Sequence, residues 1–212
     1  MRIALVSALA GVVLAAAGAA SAATAPKATK WIDSKDGFSI ILPSAWYPVP
    51  RTVAGVQAMI TKYKKTPGVP TAYSFYLTAA GKQELKDYVF QAFVNVYPST
   101  DPVIPVISIQ ISTSKPPYKA SELTEAADTF GSVLASNKGA KVSAPQTLKF
   151  SEGTTELLTA TIPVAKGLSE GTELYLIIHG GKLYVLKFVI DATALKSFES
   201  TFKAIAENFR FV

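Results

Sequence analysis

The sequence predicts an α+β fold, an α/β/α sandwich in which helices cover both faces of a largely antiparallel sheet. The clearest observation is a hairpin signature, His179-Gly180-Gly181-Lys182, between two apolar runs, where the glycines supply the positive φ of a tight turn. Both runs are apolar on both faces, which is typical of central strands that are covered on each side. Two amphipathic helices, at 121–136 and 194–208, provide that cover.

Residues 1–22 are typical of a signal peptide. Arg2 is the only charged residue of this stretch, an Ala-, Leu- and Val-rich run follows it, and Ala20-Ser21-Ala22 resembles a cleavage site. The length of the run also permits a short membrane helix, which is the alternative. We expect cleavage after residue 22, a flexible leader over 23–30 and a single domain over 31–212, located in the periplasm or secreted.

The first half of the domain is predicted to be rich in strands. Asp36-Gly37 marks a turn into an apolar strand over 38–42. Further strands are expected over 56–63 and, from an alternating pattern, over 73–77. From 84 to 97 the helical and strand periodicities compete, and the β-branched and aromatic content of the stretch favours a strand.

The second half of the domain has more regular patterns. One strand precedes the first amphipathic helix, two strand-like runs precede the hairpin, and the last helix follows it. The predicted strands cover 106–113, 146–150, 155–163, 173–178 and 183–190, and the predicted helices cover 121–136 and 194–208.

The composition excludes several kinds of chemistry. The 212 residues contain no Cys, which removes thiol nucleophiles, Cys-rich zinc sites and iron–sulfur clusters. The single His, His179, is expected to be an exposed turn residue, because no recognisable nucleophile and orienting carboxylate accompany it. The sequence has no G-x-S-x-G elbow, dinucleotide-binding fingerprint or Walker A loop.

The carboxylates form no recognisable site in the sequence. Asp33 and Asp36 lack the other ligands of a calcium loop. A second acidic group, Glu122, Glu125 and Asp128, drifts around the predicted helix and does not converge. Glu170 and Glu173 are no stronger as a candidate site. We therefore predict no catalytic residue, no metal site, no cofactor and no enzymatic activity.

Lys62, Lys64 and Lys65 form the strongest candidate for a binding surface, with Lys27 and Lys30 as possible additions. The formal net charge is +6, so the protein is basic. Such a cluster could dock to an acidic protein face, anionic lipid headgroups or an acidic polymer, although ordinary solubility is the simpler reading. Nucleic acid is not an expected partner, because no recognition motif is present.

Aromatic residues crowd the least regular part of the chain, residues 64–104. We favour a core role for them, with a binding face as the alternative. A pocket lined by such residues between the sheet and a helix would instead make the protein a small-ligand carrier. The residues are Tyr73, Phe75, Tyr76, Tyr88, Phe90, Phe93 and Tyr97.

Two stretches of the sequence resemble the PsbP-like family, which includes the extrinsic P subunit of photosystem II and bacterial exported relatives. Residues 36–46 are similar to the family's opening "GFSxxxPxxW" strand and turn. The family's closing hairpin and helix are similar to Gly181-Lys182-Leu183-Tyr184-Val185-Leu186, with Phe198, Phe202 and Asn208-Phe209-Arg210-Phe211. The similarity covers 31–46 and 172–211 well, is plausible over 106–136 and is absent over 64–104.

The resemblance implies a non-enzymatic accessory protein that docks to a protein or an envelope component. Plant photosystem members carry a metal-associated His near the start of the penultimate strand, where this chain has Gly171-Thr172-Glu173, so no metal role is carried over. Photosynthetic members also carry a transit peptide or a lipid-modified Cys, which this sequence lacks. A thylakoid lumen location is expected only for a photosynthetic source.

Overall fold

The computed structural model describes residues 28–94, 103–114 and 116–212. The predicted signal peptide and residues 23–27 of the predicted leader lie outside the described residues. The strands are β1 Thr29–Asp33, β2 Phe38–Leu42, β3 Trp46–Pro48, β4 Phe90–Val94, β5 Val106–Thr113, β6 Lys141–Val142, β7 Gln146–Phe150, β8 Gly153–Ala165, β9 Leu168–His179, β10 Lys182–Asp191 and β11 Arg210–Phe211. The helices are α1 Val53–Lys62, α2 Val69–Phe75, α3 Ala79–Asp87, α4 Leu123–Ala135 and α5 Leu195–Glu207.

Eight strands form one antiparallel sheet, in the order β3-β4-β5-β10-β9-β8-β6, with β7 also paired to β8. The predicted hairpin joins β9 to β10, with Lys182 opposite His179 and positive φ at Gly180 and Gly181. A smaller antiparallel sheet has the order β1-β2-β11. In the part of the chain that the structure describes, no helix is both long enough and apolar enough to cross a membrane.

The central strands β9 and β10 are covered on both faces, as predicted. On one face Leu174, Leu176, Leu183 and Val185 pack in one apolar cluster with α4 side chains such as Phe130. On the opposite face the aromatic and aliphatic residues of both strands pack with α5 and with β2; they include Tyr175, Ile177, Leu186, Phe188, Phe202 and Phe38. The predicted fold class, an antiparallel sheet between helical layers, is therefore confirmed.

Residues 53–87 fold as three helices, which corrects the strands predicted over 56–63 and 73–77. Thr52 and Thr78 cap α1 and α3, each accepting a hydrogen bond of 3.1 Å from the amide of a glycine three residues later. Pro70 lies in the first turn of α2, where its missing amide hydrogen costs nothing. We call α1, α2 and α3 the helical block.

The helical block folds as it does because its apolar side chains face one surface of the sheet. Tyr73 and Tyr76 of this segment are buried with Phe93 of β4 and Tyr47 of β3 in a third apolar cluster. Over 84–97, where the sequence favoured a strand, the prediction is correct for β4. Residues 84–87 instead form the end of α3. Residues 95–97 of that stretch lie outside the described chain.

The contact between α3 and α2 gives a first prediction. A Cβ on Gly81 would overlap the carbonyl oxygen of Phe75 and the Cα of Tyr76, whereas one on Gly131 in α4 would only reach ordinary contact distance, 3.7 Å, from Leu158. Gly81→Ala should therefore lower the free energy of unfolding by about 1 kcal/mol or more. Gly131→Ala should raise it by about 0.5–1 kcal/mol, because alanine favours a helix interior. Urea unfolding of both variants checks this, and equal shifts would contradict the close packing of α3 on α2.

Candidate functional site

The three sequence-predicted lysines lie at one end of α1. Lys62 is the last residue of the helix, and Lys64 and Lys65 lie in the turn that follows; all three side chains are exposed. Lys62 Nζ lies 5.0 Å from the ring centroid of Tyr63, and that ring packs edge-to-face on buried Tyr47. The Tyr63 ring beside Lys62 is therefore anchored to the core through Tyr47.

The helical block presents positive charge to solvent. Between Asp36 and Glu84 the sequence has no acidic residue. The exposed ionisable side chains of the block are Lys62, Lys64, Lys65, Lys82 and Lys86, while its two carboxylates are buried Glu84 and half-buried Asp87. We call Lys62, Lys64 and Lys65 the basic surface. Of its suggested additions, Lys30 lies in β1 of the smaller sheet and Lys27 lies outside the described residues.

Most of the described aromatic residues of the irregular segment lie in the core, as the sequence favoured: Tyr73, Tyr76, Phe90 and Phe93 are buried, and Phe75 packs against the third apolar cluster. Tyr73 packs edge-to-face on Phe93 at 4.9 Å between ring centroids, and its hydroxyl donates a hydrogen bond of 2.8 Å to the carbonyl oxygen of Pro48. Burial raises the pKa of Tyr73 and of Tyr76 above the ordinary tyrosine range. Tyr97 lies outside the described chain.

A second feature, which the sequence analysis missed, is a row of polar side chains on the sheet. Gln91 of β4 lies opposite Ser108 of β5, and Ser108 lies opposite Lys187 of β10. Because side chains alternate along strands, this row shares its face with Thr172 and Glu170 of β9. The row separates the apolar cluster under α4 from the apolar cluster under the helical block.

The helical block contributes one carboxylate to this row. Glu84 of α3 is 3% exposed, and Gln91 Nε2 donates a hydrogen bond of 2.9 Å to Glu84 Oε2. Gln91 Nε2 also lies 3.3 Å from Ser108 Oγ. We call Glu84, Gln91, Ser108, Glu170, Thr172 and Lys187 the polar seam.

The charged groups of the polar seam shift one another's pKa values. Burial raises the pKa of Glu84 and of Glu170, and the positive charge of Lys187 opposes that rise in both. Burial lowers the pKa of Lys187, and the two carboxylates oppose that fall. Tyr88, which follows α3, has its pKa raised to about 12 by burial and by the nearby carboxylates. The seam is therefore one coupled electrostatic unit.

Two buried polar atoms of the seam have no hydrogen-bond partner among the described residues. They are Glu170 Oε1 and Thr172 Oγ1, and their side chains are 5% and 0% exposed. A buried carboxylate oxygen without a donor disfavours the charged form of the group. This environment agrees in direction with the raised pKa of Glu170.

The other acidic residues considered in the sequence do not join the seam. Glu173 lies on the opposite face of β9, where Tyr175 donates a hydrogen bond of 2.8 Å to its Oε2, so it does not pair with Glu170. Asp33 accepts two backbone hydrogen bonds within its own turn, and Asp36 forms an ion pair of 2.8 Å with Arg51. Within the described ranges, no group of three or more His, Cys, Asp or Glu side chains could hold a metal ion.

His179 is exposed at the hairpin, as expected, and stacks on Phe211 at 3.7 Å between ring centroids.

One sequence signal for the polar seam did exist. Lys187 interrupts an otherwise apolar run over 183–190 that was predicted to be covered on both faces. A charged residue there needs an internal partner, but Glu84 is brought to it only by the tertiary structure.

The coupling within the polar seam predicts a pH-dependent effect of Lys187→Met. At pH 8 this variant leaves two buried carboxylates without their positive neighbour. We expect its free energy of unfolding to be about 1–3 kcal/mol lower than that of the wild type. At pH 5 the loss should be smaller, because carboxyls with raised pKa values take up protons. Urea unfolding at both pH values measures the difference, with Lys149→Met at an exposed strand position as the control. A loss that is equal at both pH values would contradict the coupling.

Comparisons with known proteins identify the fold. No family model and no curated protein matches the sequence. The structure is similar to that of the cyanobacterial PsbP protein CyanoP from Synechocystis, with 13% identity, a TM-score of 0.53, and coverage of 94% of this chain and 99% of that chain. It is also similar to LpqN, which is involved in cell envelope biogenesis of Mycobacterium tuberculosis, with 12% identity, a TM-score of 0.51, and coverage of 88% and 91%. The chain therefore has the PsbP-like fold that its opening and closing motifs predicted.

Proposed function

We propose that the protein is an exported, non-enzymatic accessory protein that docks through its basic surface to an acidic protein or envelope component. The observation that carries the proposal is the charge distribution of the helical block. Its exposed charges are lysines, and its one fully buried carboxylate points toward the sheet. A surface of one sign attracts and orients a partner of the opposite sign.

The surroundings of the basic surface support this role. Arg51, another cation of the acid-free stretch, forms ion pairs with Asp33 at the end of β1 and with Asp36 in the turn before β2. Lys62, Lys64 and Lys65 form no ion pair among the described residues, so their charge is available to a partner. Export is supported by the signal-peptide pattern of residues 1–22.

The fold neighbours are compatible with an accessory role. LpqN is involved in cell envelope biogenesis, and CyanoP is a cyanobacterial PsbP. A non-catalytic role also fits the polar seam, whose converging carboxylates are buried beneath α3. The small-ligand carrier stays a prediction from the sequence, because the aromatic rings that would line its pocket contact one another in the core.

Reversing the charge of the basic surface tests the proposal. The triple variant Lys62→Glu, Lys64→Glu and Lys65→Glu, made in the chain 23–212, should lose at least about tenfold in association with the envelope fraction of the source organism at low salt. The wild-type association should itself weaken as salt rises. Thermal unfolding should be unchanged, because all three side chains are exposed.

A second triple variant provides the matched control. Lys138→Glu, Lys141→Glu and Lys166→Glu change the net charge by the same amount at exposed positions outside the helical block. This control should keep most of the association. Equal loss in both triple variants would mean that net charge, and not the basic surface, governs binding. Unchanged association in the first variant would remove the basic surface from the proposed function.

A further inference from the structure

The polar seam lies at the place where the helical block meets the sheet. Strands β3 and β4 are antiparallel neighbours, so the block is an excursion between the edge strand β3 and the strand next to it, β4. Its apolar side chains rest on those strands and on β5. Glu84 is the polar group through which α3 reaches the sheet, by its hydrogen bond from Gln91. The basic surface belongs to this same block.

The seam has an unbalanced charge when all its groups are ionised. Glu84 and Glu170 supply two negative charges and Lys187 supplies one positive charge, so one negative charge remains in a buried environment. Glu84 and Glu170 are buried, whereas Lys187 is partly buried. Uptake of one proton by the carboxyl pair makes the seam neutral, which removes the cost of burying the excess charge.

The other titratable groups facing the seam do not supply the missing positive charge. Tyr76 after α2 and Tyr88 after α3 are neutral below the ordinary tyrosine range, and Asp87 of α3 adds negative charge near Glu84. Asp191 of β10, opposite Glu170 in the register, accepts a hydrogen bond of 2.8 Å from the amide of Thr193. Among the described residues that act on the pair, Lys187 is the only cation.

We propose that the polar seam is a proton-dependent latch: one proton, bound by Glu84 or by Glu170, holds the helical block on the sheet, and loss of that proton favours its release. The latch regulates the basic surface, and this consequence rests on the proposed docking function. At acidic pH the block is held in one position and presents its lysines in a fixed arrangement. At higher pH the block opens more often, and that arrangement is lost.

The direction follows from proton linkage. Opening exposes Glu84 and Glu170 to water, where their pKa values return to the ordinary glutamate range. The closed form therefore binds more protons than the open form at pH values between the ordinary and the raised pKa. Raising the pH through that window increases the opening constant by up to about tenfold per pH unit for one proton. Lys187 contributes the opposite slope, at pH values between its lowered and its ordinary pKa.

Hydrogen–deuterium exchange of the isolated chain 23–212 between pH 5.5 and 7.5, corrected for intrinsic exchange, tests the latch. Amides of α1 to α3 should lose protection as the pH rises, by several-fold in the opening constant, while amides of α5 keep theirs. Glu84→Gln and Glu170→Gln should each flatten this dependence, because the remaining carboxylate then balances Lys187. Glu125→Gln on the exposed face of α4 is the matched control and should retain the wild-type slope.

Several results would overturn the latch. One is a slope in Glu84→Gln and Glu170→Gln equal to that of the wild type, and another is a slope shared by the block and α5. Carboxyl ¹³C titration of the wild-type protein gives a readout that needs no variant, and ordinary or lowered pKa values for both glutamates would also reject the proposal. No partner is present in these measurements. The Lys62, Lys64 and Lys65 triple variant should keep the wild-type exchange slope, so failure of docking and failure of the latch are distinguishable.

Discussion

Burial of the central hairpin on both faces is the constraint on which the rest of the structure depends. Strands β9 and β10 place apolar side chains alternately on the two faces, and neither set can stay in water without loss of the hydrophobic free energy. The α4 layer covers one set. The α5 layer, together with the smaller sheet, covers the other. The three-layer arrangement is thus the direct consequence of two strands that lack a polar face.

The polar seam is an exception to this apolar packing, and its position between two apolar clusters explains why polar groups occur there. On the face that α4 shares with the helical block, the two helical layers pack as separate apolar clusters. Lys187 and Ser108 lie on the sheet between those clusters, and Glu84 reaches them from α3. Partly compensated charges in such a place cost stability compared with apolar side chains of the same volume. Departures of this kind from a continuous core are where function is expected.

The helical block joins the two features that carry the functional argument. Its outer side bears Lys62, Lys64 and Lys65, and its inner side bears Glu84 and the aromatic residues that anchor it to β3 and β4. A single segment of the chain therefore holds both the proposed docking surface and the group proposed to respond to protons. The three lysines and Glu84 lie outside 31–46 and 172–211, the stretches whose sequence resembles the PsbP-like family.

The sequence by itself determined the elements whose signals are local. The two glycines after His179 specify the hairpin, and the repeats of apolar residues specify α4 and α5, because turn geometry and helical period act over a few neighbouring residues. The lysines of the basic surface could likewise be named from the sequence, since exposure of adjacent lysines needs no long-range contact.

The tertiary structure decided the helical block and the polar seam. Residues 56–63 and 73–77 have strand-like composition, yet most of them lie in α1 and α2. The cap at Thr52 favours α1, and the burial of Tyr73 against Phe93 of β4 favours α2, and these outweigh the local preference. Glu84 and Lys187 are far apart in the chain. Only the strand order and the return of α3 over the sheet bring their charges together, so no sequence pattern could reveal that they act as one unit.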